Sequence, residues 1–437
     1  MLLLLPISIY ILNTDLSNEK EDDIPKQNDD LDFEPLDGAW YKEEGNAKIL
    51  FLNGTNYMMG YQHGYFLKKE IGQLYSIIVN VFDSLGCSYD TFMEVWEQME
   101  KNLPNDYIEE MQGISNGSGH SLDKIYLLNT VTSVLNLYHC SGMSAWGEAT
   151  KNGDLIHFRS ADGPANLIDE VSGVALNELH AIFVRNPKDK FRSMSVSFIG
   201  DACSLGGFNE KGIAVGEMSC KSDDTTYDAI NIAFRMRMIL DHADNLDEAI
   251  EIMKNKRGCG WNNIISDAVL NKGVVVEQTA NIFYVGEWDD PVESKRPFYK
   301  IEDVVRRTNF YINPETAKTQ RQHYNPRGLL SLFRHLFKND KYFIQWNHYK
   351  TLSKRINLYH GSLDVDKTMI MVREVYSGEG NIVFKYFQNK GEKQAMHQWV
   401  ANPKTGDFLV SFGSLGKSAH ENPVHSFNFY DLIEGKI

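Results

Sequence analysis

A cysteine, an arginine and an aspartate are brought to one place by a single turn. Cys140 stands in Leu137-Tyr138-His139-Cys140-Ser141-Gly142, where helical spacing gives way to β-prone sequence. From Trp146 to Asp162 a turn signal at Asn152–Gly153 is flanked by strand-forming residues, which predicts a hairpin. An antiparallel return strand carries Arg159 and Asp162 back beside Cys140. A cation next to a thiol favours the thiolate, and a carboxylate can orient a protonatable amine. Together these groups suit covalent acyl transfer through sulfur. A cysteine in a connection is ordinarily just a small buried hydrophobe, so the hairpin, more than the residue type, points to chemistry.

Two other motifs are weaker. Gly113-Ile114-Ser115-Asn116-Gly117 matches the pattern of a serine-hydrolase elbow, but that elbow must follow a strand and open a helix. Here Asp106–Gln112 is helical, so Ser115 is expected near a helix exit. His63 lies among aromatic residues on a helix, where an imidazole is expected to be packed and hydrogen-bonded. There is no HExxH, no CxxC and no phosphate-binding glycine loop, so the sequence calls for neither a metal nor a cofactor.

The elements that must position Cys140 divide the chain unevenly. Residues 1–14 hold an apolar run, Leu2–Leu12, too short to span a bilayer alone and the right length for a signal-peptide core. With the sequons at Asn53 and Asn116 it points to a secreted, lumenal or membrane-associated protein more than to a cytoplasmic one, and any membrane contact is expected through residues 2–12 only. Residues 15–37 read as an acidic linker. Residues 38–139 read as mostly helical, with helices at Met58–Phe82, Tyr89–Asn102, Pro104–Ile114 and Ser121–Tyr138 after a short strand at Lys48–Leu52. Residues 140–437 read as the catalytic body, one composite domain with 38–139. Its short strands begin at Ser144–Glu148 and Leu155–Arg159 and continue through Phe283–Gly286. Helices are expected at Ala229–Asp241, Asn245–Lys254, Leu352–Leu358 and Lys367–Tyr376. This predicts an α+β sandwich of antiparallel sheets covered by helices. The 437 residues carry 59 acidic and 44 basic side chains, a net charge of −15 that disfavours nucleic acid as a partner. Five cysteines are too few for a disulfide scaffold, and the odd count allows two disulfides and one free thiol.

Several blocks, in order along residues 36–425, resemble the acyl-CoA:6-aminopenicillanate acyltransferase family of self-processing cysteine peptidases. They are Asn53 to Gly64, Tyr107 to Gly119, Cys140 to Asp162, Gly207 to Ala214, Val274 to Glu277 and Arg307 to Phe310. The chain is more distantly similar to choloylglycine hydrolases and the acid-ceramidase group. The resemblance implies a four-layer αββα N-terminal-nucleophile (Ntn) hydrolase sandwich and self-cleavage between His139 and Cys140. Cys140 would be the nucleophile and its freed α-amine the base. Arg159 would polarise the thiol, Asp162 hold the amine and Asn309 donate to the oxyanion. The implied substrate is a small N-acyl amide or an acyl-CoA-like molecule, with the two chains of the cut precursor remaining associated. The chain departs from the family at His139, Ser141 and Ala161, and at Phe310, where histidine is common. An ester-cleaving, phospholipase-B-like enzyme and a non-catalytic protein with an inert Cys140 are the rival readings.

Overall fold

Apolar residues that alternate along short strands collect into two sheets. In the computed structural model residues 36–86, 88–134, 139–164, 167–320, 342–381 and 393–436 are described, all within the unit that runs from Pro35 to the C-terminus. The larger sheet holds nine strands in the order β1 (Trp40–Glu44), β2 (Ala47–Gly54), β5 (His180–Pro187), β6 (Ser193–Phe198), β7 (Gly206–Asn209), β8 (Ile213–Ser219), β9 (Trp261–Asp267), β10 (Lys272–Gln278) and β11 (Phe283–Gly286). The smaller has β12 (Val304–Arg307), β3 (His139–Ala145), β4 (Ile156–Pro164), β13 (Lys393–Asn402), β14 (Asp407–Phe412) and β15 (His425–Asn428). Neighbours pair antiparallel except β2 and β5, which run parallel.

Helices cover both outer faces. On the larger sheet, Ile213, Val215, Ile265 and Val276 pack against Ile232, Met236, Ile239 and Met253 of α6 (Ile232–His242) and α7 (Leu246–Lys254). On the smaller sheet, Met143, Ile156, Phe158 and Val400 pack against Leu352, Ile356, Met369 and Val372 from helices Tyr342–Tyr359 and Val365–Tyr376. Between the sheets, Ile49, Phe51, Val184 and Val196 meet Trp399, Phe408 and Val410. The result is the expected four-layer αββα sandwich.

The N-terminal helices are α1 (Asn56–Phe66), α2 (Lys68–Leu85), α3 (Tyr89–Glu100), α4 (Asn105–Ser118) and α5 (Leu122–Val134). Their apolar faces join Leu50, Leu52, Phe183 and Cys140 in one cluster, so these helices and the later strands share a core. Where α1 crosses α4, a Cβ on Gly60 would stand 1.9 Å from the Glu110 carbonyl oxygen, and one on Gly113 2.2 Å from that of Tyr57. The glycines of the apparent serine elbow are therefore there for close helix packing. Ser115 Oγ donates to the His120 carbonyl at 2.7 Å and takes no part in a strand–helix turn.

Several sequence expectations shift. The first third is mostly helical after its short strand, as expected, but that strand is joined by a second, because the charged Trp40–Glu44 segment pairs with β2. The Met58–Phe82 helix is interrupted at Leu67, which caps α1 on the His63 carbonyl. The helix expected at Leu352–Leu358 starts at Tyr342. β3 starts at His139, five residues before the expected Ser144, because pairing with β4 and β12 overrides the weak strand propensity of its serines and glycine. The last expected residues of the preceding helix, 135–138, lie outside the described residues, as do 1–35. Cys140, Cys203 and Cys220 are free thiols, Cys259 Sγ donates to the Ser133 carbonyl at 3.7 Å, and Cys87 also lies outside the described residues. Among the described residues no helix is long and apolar enough to cross a membrane.

Candidate active site

β3 and β4 pair antiparallel, as expected, with His139 opposite Asp162, Cys140 opposite Ala161 and Gly142 opposite Arg159. The connection, however, runs from Trp146 to Leu155 through a 3-10 turn at Gly147–Ala149, where a strand to Glu148 and a tight turn at Asn152–Gly153 were expected. Side chains alternate along each strand. Cys140 and Arg159 accordingly share the face toward the larger sheet, and Nη2 of Arg159 lies 3.8 Å from Cys140 Sγ. Room for the arginine comes from two glycines. A Cβ on Gly206 would stand 2.9 Å from Arg159 Cδ, and one on Gly216 3.3 Å.

Arg159 is fully buried, and its charge is met by Glu217 on β8. Nη2 donates to Glu217 Oε1 at 2.5 Å and Nε to the Glu217 carbonyl at 3.2 Å. Nη1 donates to Nε2 of His397 at 3.0 Å. The thiol is equally buried. Burial, then Glu217 and Asp162, push its pKa up, while Arg159 and the Asp162 backbone N–H pull it down. Cys140 is thus a neutral thiol with a cation in place beside it.

Asp162 lies on the opposite face, where its carboxylate accepts from Ser160 Oγ at 2.7 Å and from the Tyr376 hydroxyl at 2.8 and 2.9 Å. Tyr376 also shares a 3.0 Å hydrogen bond with Ser141. Asn309 reaches Cys140 from the loop after β12. Its Oδ1 accepts the Cys140 backbone N–H at 2.7 Å, and its Nδ2 donates to the Ser219 carbonyl at 2.8 Å. That loop is pinned by buried groups. Arg307 donates to Glu277 Oε1 at 3.0 Å and pairs with Glu293, while Glu277 also accepts from Ile312 N, Asn313 N and Thr316 Oγ. Asn262 Nδ2 donates to the carbonyls of Thr308 and Phe310, on either side of Asn309. Phe310 itself is buried among Phe298, Trp346 and Tyr349.

Cys140, Arg159, Asp162 and Asn309 therefore lie around one backbone segment, and His63 lies outside it. His63 Nε2 accepts from Gly200 N at 2.9 Å, and burial, then Arg185, lower its pKa to about 3. Sequence reading missed Glu217, His397, Tyr376 and Asn262, which come from other strands and a distant helix with no motif spacing to mark them. Glu277 and Arg307 stood in two of the recognised blocks, and their ion pair joins those blocks in space. A cavity of about 350 Å³ lies elsewhere, lined by Asp154, Asp364, Asp366 and Asp407 near the opposite end of β3 and β4.

Comparison with known proteins follows the same line. Residues 180–336 match the family model described as acyl-coenzyme A:6-aminopenicillanic acid acyl-transferase. That range contains Glu217 and Asn309, with Cys140, Arg159 and Asp162 N-terminal to it. An uncharacterised protein of Archaeoglobus fulgidus is 26% identical over 369 residues, covering 74% of this chain and 57% of the relative. Protein dcd1A of Dictyostelium discoideum is 23% identical over 400 residues, covering 83% and 81%. Dictyostelium dcd1B is 23% identical over 297 residues, covering 60% and 56%. The chain thus spans little more than half of two of these relatives. Among solved structures, penicillin V acylase from Agrobacterium tumefaciens aligns at 15% identity and TM-score 0.39 over 66% of this chain and 86% of that one. The Caenorhabditis elegans ortholog of N-acylethanolamine-hydrolyzing acid amidase aligns at 16% and 0.37 over 61% and 93%. At such scores the fold rests on the chain's own layers and sheet order. Residues 180–336 carry the sequence signature of the acyl-coenzyme A:6-aminopenicillanic acid acyl-transferase family, within a four-layer αββα fold.

Proposed function

We propose that the chain is a precursor that cuts itself between His139 and Cys140, and then acts as an Ntn cysteine hydrolase or acyltransferase on N-acyl amides. One observation carries this reading: Asn309 Oδ1 holds the N–H of the bond to be cut, while Arg159 stands 3.8 Å from the sulfur next to it. In the first step Sγ adds to the His139 carbonyl. The C–N bond breaks, the Cys140 nitrogen takes the thiol proton, and His139 is left as a thioester. Water hydrolyses it, releasing the His139 carboxylate and a free thiol. The new α-amine, with an ordinary pKa of about 7.7–8.0, is partly neutral near pH 7 and serves as base. It takes the thiol proton, Sγ adds to the substrate carbonyl, and the leaving amine departs with that proton. Water then releases the acyl group as an acid, or an acceptor amine takes it; an acyl-CoA-like donor would load the same sulfur.

Arg159 polarises the sulfur in each step. Asn309 Oδ1 and the Asp162 carboxylate hold the amine, and Asn309 Nδ2, turned from Ser219, donates to the oxyanion. Ala161, opposite Cys140, and the aromatic group around Phe310 support an apolar acyl chain, each buried CH₂ of which adds about 0.8 kcal/mol. Medium and long acyl amides should therefore react faster than acetylated ones. The helices of residues 38–139 share the core of the later strands, so the two pieces stay together after cleavage.

The test is a denaturing gel with mass spectrometry. From 49.9 kDa the pieces are expected at about 16 and 34 kDa by residue share, before any trimming of the N-terminus. Cys140→Ala should give one band and no activity. Wild-type protein that stays whole and is active sinks the mechanism, whereas whole and silent protein means an inert Cys140. Fatty acid released from phospholipid, with none from acyl amides, means an ester hydrolase.

A further inference from the structure

Resting on the reading above, Cys140 needs Arg159 held against it, and the guanidinium has a second anchor besides Glu217. We propose that His397 is a positioning residue that fixes the plane of Arg159 by accepting a hydrogen bond from Nη1. The contact is 3.0 Å. A guanidinium only donates, so Nε2 of His397 must be the acceptor and the ring proton must sit on Nδ1. With Nε and Nη2 occupied by Glu217, the bond to His397 removes the remaining freedom of the arginine to swing from the sulfur.

The backbone is built for this contact. Along β13 the pairing with β4 passes from Ala395–Asp162 to His397–Ala161, leaving Met396 as the extra residue of a β-bulge. Ala395 and Val400 both pack on the helix-covered face, although five residues apart. Strict alternation cannot do that, and Met396 absorbs the difference. Without the bulge His397 would share the face of Ala395 and point away from Arg159. Bulges re-aim side chains in this way next to functional sites.

Packing alone gives no reason for an imidazole here. His397 is completely buried, and its Nδ1 has no hydrogen-bond partner among the described residues. A buried N–H without an acceptor destabilises a fold. The titratable groups facing the ring are Arg159 with its partner Glu217 on one side and His180, 4.9 Å away centroid to centroid, on the other. Burial, His180 and Arg159 all hold the ring neutral, the state that can accept.

The experiment compares His397→Gln, His397→Asn and His397→Leu with wild type and Cys140→Ala, using cleaved enzyme and one N-acyl amide. Glutamine places an acceptor where Nε2 stood, asparagine is too short to reach it, and leucine has none. Leucine and asparagine should lower kcat by roughly 10²-fold, with KM nearly unchanged, and glutamine should recover most of the loss. Equal kcat in all three variants, or a loss confined to KM, overturns the proposal. If the leucine protein does not fold, glutamine against asparagine decides alone. Activity surviving in Cys140→Ala overturns the nucleophile reading itself, whereas a silent Cys140→Ala beside a fully active His397→Leu overturns only the role of His397.

Discussion

Two buried arginines meet their carboxylates in different ways. Arg237, on α6, lies in a closed network: Nη1 and Nη2 grip Glu110 at 2.9 and 3.0 Å, Nε donates to Asp241 at 2.9 Å, and Asn56 and Tyr107 supply further donors to those acids. Arg159 has one carboxylate, an imidazole and a thiol, and around it Glu217 Oε2, His397 Nδ1 and His157 Nε2 find no partner among the described residues. The first arrangement fastens α1 and α4 to α6. The second tolerates unsatisfied groups so that a cation stays beside sulfur. A satisfied network favours stability, and an incompletely satisfied one is retained where chemistry requires it.

Breaking the closed network should have the largest effect. Arg237→Met leaves buried Glu110 with only Arg185, at 3.9 Å, and buried Asp241 with only Lys190, at 3.8 Å, which costs about 3–5 kcal/mol of folding stability. Urea unfolding of wild type and variant measures it, and a loss under about 1 kcal/mol would mean that water enters the network.

Next comes Asn309. Asn309→Ala should lower kcat by roughly 10²–10³, about 3–4 kcal/mol, in a protein that still folds. A rise in KM alone would make Asn309 a substrate contact, and no change in either parameter would remove it from the site.

Glu217→Gln sharpens the contrast with Arg237. The amide keeps an oxygen for Arg159 but loses the charge that raises the thiol pKa. Alkylation of Cys140 should shift to lower pH, and kcat should fall about tenfold as Arg159 loosens. An unmoved alkylation profile would place Glu217 outside the electrostatics of the sulfur.

The last comparison is a pH dependence of stability. Burial holds His63, His157, His180 and His348 at about 3 against an ordinary 6.5. Between those values the unfolded chain binds protons that the folded chain refuses, so stability rises with pH from 3 to 6.5. Asp201 behaves oppositely. Burial raises it to about 8, so from its ordinary 3.8 upward the folded chain keeps a proton that the unfolded chain has lost. Its contribution to stability therefore falls as pH rises toward 8. Each group changes stability by at most about 1.4 kcal/mol per pH unit. Denaturation midpoints from pH 4 to 8 test this: Asp201→Asn should steepen the rise below pH 6.5 and remove the fall above it, and an unchanged slope would contradict it.

The antiparallel pairing of the segments around Cys140 and Arg159 was legible in the sequence, from β-prone residues on either side of a turn signal. Its register was not: counting out from Asn152–Gly153 would set Trp146 opposite Arg159, whereas the connection from Trp146 to Leu155 sets Gly142 there. The sequence also determined the helix and strand types of most later segments, since their apolar periods are local properties. Tertiary structure alone decided that β3 begins at His139, because the pairing energy comes from β4 and β12. It decided the meaning of Gly113 and Gly117, which serve contact with a helix some fifty residues away in sequence. It decided that Glu217, Tyr376 and His397 would join Cys140, Arg159 and Asp162. These three stand 77, 236 and 257 residues beyond Cys140. Nothing in local spacing links them to it: sheet order and one bulge do, and those are settled only when the two sheets pack.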